Sequence, residues 1–160
     1  MHESIRPLAT IVSLNTRLFL NCLEEVNDRI AILRPNEKTN NLAFIALHLL
    51  DSRYYLGQHI GLTARNPYAT EMESVRSVKD LKTVPPLVDV KKHWQEISQL
   101  LLDGLAGLTE EDLQRRSTMQ FPVDDHTLLG PIAFLVQHES YHIGQMALLR
   151  TYSYLPPMHY

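Results

Sequence analysis

Four long stretches of this chain place apolar residues three and four positions apart, and no stretch alternates them two by two. That period admits amphipathic helices and argues against a sheet protein. The first stretch covers residues 8–33 and carries Leu8, Ile11, Val12, Leu18, Phe19, Cys22, Val26, Ile30 and Leu33. Pro7 suits its start, and Pro35 lies just past its end. Asn15 falls inside this apolar pattern, where a polar side chain needs a partner or a wet pocket. The second stretch covers residues 41–59, with Thr39 or Asn40 as its cap and Gly61 beyond it. The third covers residues 87–105 and contains Trp94, Ile97, Leu101 and Leu105. Thr109 followed by Glu110, Glu111 and Asp112 predicts a short capped turn of helix. Residues 115–129 read as loop or a short extended piece. The fourth stretch covers residues 131–152, with Pro131 in its first turn and Pro156-Pro157 forbidding continuation.

Helices of this length each span about 30 Å. Between the second and third, residues 61–86 carry Asn66-Pro67 and Pro85-Pro86 and are too long for a tight turn between antiparallel neighbours. They predict a crossing connection, with a short helix near residues 77–82. The expectation is an all-α, four-helix bundle forming one domain over residues 1–160.

Composition narrows the function. Apolar residues make up 44% and charged residues 21%, which argues against disorder. A net charge of −3 gives no electrostatic footprint for nucleic acid. One cysteine, Cys22, rules out an intramolecular disulfide, and its apolar neighbours make it a buried small hydrophobe rather than a reactive thiol. No basic-then-apolar leader opens the sequence and no apolar run is long enough to span a bilayer, so a cytoplasmic protein without a membrane partner is expected.

The sharpest chemical signal is His138-Glu139-Ser140-Tyr141-His142. Two histidines four apart on a helix sit about 40° apart around its axis, so both rings can reach one metal ion. With 8 histidines in 160 residues, that spacing arises by chance roughly 0.4 times per chain; requiring Glu after the first lowers this to roughly 0.02–0.03. The expected inward stripe of the fourth helix collects Phe134, Leu135, His138, Tyr141, His142, Gln145 and Leu149, placing both histidines mid-face. The bland alternative is a pair of core histidines bonded to protein groups. A metal site needs a third ligand, and His48, among Phe44, Ile45, Ser52 and Tyr55, supplies one if the second and fourth helices face each other. Three imidazoles with open positions are the donor set of a catalytic site, and both zinc and nickel accept them.

Glu139 has three readings: it orients a ligand, contacts another helix, or acts as a catalytic general base in the manner of H-E-x-x-H proteases. It is expected at the flank of the inward stripe. Nothing else suggests a protease. Gln145, Tyr141, Asp51, Tyr55 and Asn15 are candidates to line a pocket or hold the imidazoles. His59 is expected at the rim and His93 in solvent; His2, His126 and His159 fall in termini or loop. Trp94 reads as core.

Residues 40–52, Asn40-Asn41-Leu42-Ala43-Phe44-Ile45-Ala46-Leu47-His48-Leu49-Leu50-Asp51-Ser52, together with His138-Glu139-Ser140-Tyr141-His142-Ile143-Gly144-Gln145, resemble the DinB-like superfamily, which includes the YfiT-like metal-dependent hydrolases. The first segment matches that family's second-helix histidine and the second its fourth-helix H-x-x-x-H-x-G-Q. One departure is Phe44, where relatives often carry Trp. The resemblance implies an up-down-down-up bundle, a metal centre of His48, His138 and His142, and a homodimer. It also implies either a transferase or isomerase using a small thiol such as bacillithiol or mycothiol, or a hydrolase. The competing expectation is a non-catalytic metal-binding bundle, a stress-linked or dimerisation module.

Overall fold

A computed structural model describes residues 1–160 as seven helices and no strands. Four are long: α1 (Arg6–Cys22), α3 (Leu42–His59), α5 (Leu87–Gly107) and α7 (Leu129–Tyr152). Three are short: α2 (Asp28–Ala31), α4 (Ala69–Met72) and α6 (Glu110–Gln114). α1 packs on α5 and α7, and α3 packs on the same two, so α1 and α3 lie across a diagonal. Cross-helix bonds give the directions. Lys91 near the start of α5 reaches the Leu23 carbonyl after the end of α1, and Trp94 reaches Thr16, so these two helices run oppositely. Asn15 meets Ser140, and Arg150 meets the end of α1, so α1 and α7 run the same way. Early α3 shares a core cluster with late α7, while Leu56 shares the other with Leu101 and Leu135, so α3 runs with α5. Two parallel neighbours need a long crossing link, and residues 60–86 supply it.

The first helix does not run unbroken to residue 33; it stops at Cys22. Its last carbonyls find long-range cations instead of further helix. Arg150 donates to the carbonyls of Cys22 and Glu24, and Lys91 donates to that of Leu23 at 2.8 Å. Glu25 then turns left-handed, with φ 59°, and Asn27 caps α2 by accepting from the Ile30 N–H. The cap of α3 is Asn41, one residue later than expected, accepting from Phe44 N–H at 2.8 Å. The crossing link has its helix at residues 69–72, not 77–82. At the expected place the Asp80 carboxylate accepts from the N–H groups of Arg76 and Ser77 and closes a turn, competing with helix. Thr109 and Asp112 form the expected capping box on α6.

The apolar core is in two clusters, one around Phe19, Leu50, Trp94 and Met146 and one around Val12, Leu56, Leu101 and Leu135. At their boundary every long helix contributes a polar group to one buried layer. Arg53 of α3 is 1% exposed. Its Nε and Nη2 donate to the two carboxylate oxygens of Glu139 on α7 at 2.6 and 2.7 Å. It also donates to Thr16 Oγ1 and the Val12 carbonyl of α1, and to Ser98 of α5. Its guanidinium carbon lies 3.6 Å from the centre of the Trp94 ring, which stacks on Phe19 at 3.9 Å.

α7 holds only two charged residues, Glu139 and Arg150, and both are buried. Its outward face therefore shows Tyr141, Leu148 and Tyr152 with no charge between them. Cys22 is fully buried, and burial pushes its thiol up to about 12, consistent with an inert core side chain.

Removing one member of a buried, fully bonded ion pair strands the other charge, so Arg53→Met or Glu139→Leu alone should cost about 3–5 kcal/mol in urea denaturation. The Arg53→Met/Glu139→Leu double variant should lose clearly less than the sum of the two.

Candidate metal centre

Three imidazoles converge where α3 faces α7. Nε2 of His138 lies 3.2 Å from Nε2 of His48 and 3.1 Å from Nε2 of His142. One ring nitrogen from each of the three lies within 4.8 Å of the others. All three side chains are half-buried. Burial, reinforced for His48 by the two neighbouring rings and for His138 by His142, lowers the first two to about 4. Burial also lowers His142, against a smaller opposing effect of its bond to Gln145. All three rings are therefore neutral near pH 7, each with one lone pair to offer.

Gln145 sets which nitrogen of His142 offers it. The His142 Nδ1 and Gln145 Oε1 are 2.7 Å apart, and the Gln145 amide nitrogen donates to Tyr141 Oη at 3.0 Å. An amide oxygen only accepts, so Nδ1 carries the proton and Nε2 faces the other two rings with its lone pair. Nitrogens bound about 2.0–2.1 Å from a tetrahedral ion would be about 3.3–3.4 Å apart. Two of the three separations, 3.1 and 3.2 Å, are close to that value, and the third pair lies within 4.8 Å. The Nδ1 of His138 is buried with no hydrogen-bond partner, so no protein group fixes that ring's tautomer. The His138 ring lies instead against Phe134, with 6.1 Å between centres, and the His48 ring against Phe44 at 6.0 Å.

The histidines do not sit mid-face on α7, as their spacing suggested. The buried stripe is Ile132, Leu135, Val136, Glu139, Ile143, Met146 and Leu149, and the histidines flank it. Glu139 takes the central place expected for them. Of its three readings, contact with another helix is the one the geometry supports, because Arg53 engages both carboxylate oxygens. The general-base reading is left without support. Arg53 went unnoticed in the sequence, although α3 and α7 are nearly free of charge and each keeps one opposite member of this pair.

The other expected pocket residues divide. Gln145 and Tyr141 belong to the site, with the Tyr141 ring 5.2 Å from that of His142. Asn15 does not join them. It is buried and paired with Ser140 of α7 at 2.9 Å, about 200° around that helix from either histidine. Asp51 accepts from Asn66 at 2.7 Å and ties the crossing link to α3. Tyr55 lies further along α3, its ring 4.3 Å from that of His59, which is half-buried at the end of that helix. His93 is not solvent-exposed as expected; its side chain is 26% exposed and packs near Tyr68, with Glu96 at 3.0 Å.

The family model of the DinB superfamily matches residues 12–146, which contain all three histidines. The chain belongs to the DinB superfamily. Among curated proteins, none matches it. No helix is long and apolar enough to cross a membrane.

Replacing the acceptor that sets the His142 tautomer should weaken metal binding without unfolding the bundle. Gln145→Leu should lose about 10–100-fold in zinc affinity, measured by competition with a chromophoric chelator, with an unchanged far-ultraviolet spectrum.

Proposed function

We propose that this member of the DinB superfamily is a metal-dependent enzyme that transfers a low-molecular-weight thiol to an electrophilic small molecule. The observation that carries this reading is the combination of three converging imidazole nitrogens with a neighbouring carboxylate that is already committed. His48, His138 and His142 would hold one divalent ion, zinc or nickel, through Nε2. Such an ion supplies Lewis-acid stabilisation of an anion and so lowers the pKa of a thiol that ligates it. A thiol activated in that way needs no separate base, whereas hydrolysis usually enlists a carboxylate or histidine to manage the water proton. Glu139 is held through both oxygens by Arg53, so it serves a hydrolase poorly, and Asp51 is engaged by Asn66 in tying the crossing link to α3. Gln145 keeps His142 in its binding tautomer and donates in turn to the Tyr141 hydroxyl.

The alternative is a metal held for structure only. The buried polar layer and both apolar clusters close without any ion, and the histidines lie outside them. The metal-free protein should therefore keep its helical spectrum and a cooperative melt; collapse on chelation would favour the structural role. Protein purified without an affinity tag should carry about one divalent ion per chain, and His48→Ala should lose it. A His48→Ala protein that kept its full metal would sink the three-ligand site. The loaded protein should consume one or more thiols of a broad panel in the presence of a chloro-dinitrobenzene acceptor. No turnover with any of them would count against the transferase.

This reading includes assembly as a homodimer, supported by the uncharged outward face of α7 with its exposed Tyr141, Leu148 and Tyr152. Surfaces of this kind are uncommon on monomers. Sedimentation should report a dimer, and Leu148→Glu should shift it to monomer.

A further inference from the structure

Residues 153–160 fold back over the ends of α1 and α7. α7 stops at Tyr152, and Tyr154 turns left-handed, with φ 61°. Arg150 Nε then donates to the Pro156 carbonyl at 2.6 Å, and the His159 N–H donates to Asn21 Oδ1 at 3.1 Å. The Asn21 amide nitrogen lies in turn 3.0 Å from Nδ1 of the His159 ring. Leu155 and Met158 pack against the core cluster of Phe19, Trp94 and Met146. The segment is thus a strap across the last turn of α1, where Asn21 and Cys22 lie. Pro156 and Pro157 have no N–H to donate, so the middle of the strap depends on its side chains.

Met158 is the inner contact. Its Sδ lies 3.3 Å from Sγ of Cys22, whose other polar neighbour is the Ile143 carbonyl at 3.8 Å. Cys22 itself is 0% exposed. The five methionines differ in access and in what they hold. Met72, Met119 and Met146 are buried in the core. Met1 is exposed and packs on neither apolar cluster. Met158 alone is both half-buried and packed on the core. Oxidants select thioethers by exposure, and the sulfoxide they form is polar and disrupts packing.

We infer that Met158 is a modification site: a hydroperoxide oxidises its thioether to the sulfoxide, which releases the strap and uncovers Cys22. The transfer forms one S–O bond and breaks the O–O bond. The sulfur gives up two electrons, and hydrogen peroxide leaves as water. The new oxygen is a strong acceptor set against apolar side chains, with only a thiol, a weak donor, beside it. Cys22 is not the reacting group; it reports whether the strap is closed. Sulfoxide reductases reverse the oxidation, so the release is reversible. No metal at the histidine trio is needed, and the inference stands apart from the proposed reaction.

The full chain is treated with hydrogen peroxide, and each methionine is followed by peptide mass spectrometry. Cys22 is then labelled with N-ethylmaleimide. Met158 should oxidise well ahead of Met72, Met119 and Met146, with Met1 as an exposed reference. Oxidation should raise the Cys22 labelling rate about tenfold, with an unchanged far-ultraviolet spectrum, as expected for local rather than global opening. Treatment with methionine sulfoxide reductases should restore the slow rate. Met158→Leu keeps an apolar anchor and should make labelling indifferent to peroxide. Met158→Gln supplies a polar side chain of similar length and should label fast without peroxide. Oxidation of Met158 no faster than of the core methionines would overturn the inference. So would unchanged labelling of the oxidised protein, or a peroxide response that persists in Met158→Leu.

Discussion

Burying a guanidinium and a carboxylate together is expensive, and the bundle is arranged around meeting that cost. Several kcal/mol per ion must be recovered from geometry and from hydrogen bonds to the remaining donors. Arg53 recovers it from all sides: two bonds to Glu139, further bonds to Thr16, the Val12 carbonyl and Ser98, and the face of Trp94. Those partners come from α1, α5 and α7, so a rotation or slide of any long helix would break the set. Apolar packing alone tolerates small slips, since one aliphatic contact resembles another. A bidentate ion pair does not. The consequence reaches the metal centre because His138 directly precedes Glu139, and His48 lies five residues before Arg53. The clamp that fixes α3 against α7 also fixes the distance between the imidazoles they carry.

The same arrangement explains why the histidines lie at the edge of the buried stripe. The centre of α7's inward face belongs to the charge that must be shielded from water. The rings one step around the helix are half-buried, at the edge of that face. Half-burial lowers their proton affinity enough to keep them neutral. A trio at the true centre would be closed, with no open position for chemistry.

How much of this was legible in the sequence follows from what kind of interaction fixes each feature. The four long helices and the His138–His142 pair were legible because period and spacing are local, whereas His48 joined them only on the condition that the second and fourth helices face each other. The phase of α7 was not. A helix with two charges in 24 residues is apolar nearly all round, so periodicity gives no strong direction, and centring the stripe on the histidines put Glu139 at its flank. Its partner sits 86 residues away, and only the pair makes burial tolerable. The break after Cys22 was hidden for the same reason: the apolar spacing continues to Leu33, while the cations that satisfy the terminal carbonyls come from Lys91 and Arg150. The Asp80 turn, by contrast, is local and readable, since a carboxylate three residues after Ser77 competes with helix there.

These considerations bear on the difference between this site and the protease pattern that its H-E-x-x-H spacing suggests. Two histidines one turn apart on a helix bring their rings together wherever they occur; what the residue between them does depends on the opposite helix. A glutamate facing an open cavity is free to take and return a proton. Facing Arg53, both of its oxygens are held and its negative charge is compensated by the guanidinium, which disfavours taking a proton. The pair of histidines that could hold a metal is thus preserved while the glutamate between them has been given to the architecture. A centre so built suits a nucleophile that is acidic enough to ionise by ligation alone, and a thiol, with an unperturbed pKa about seven units below that of water, meets that requirement.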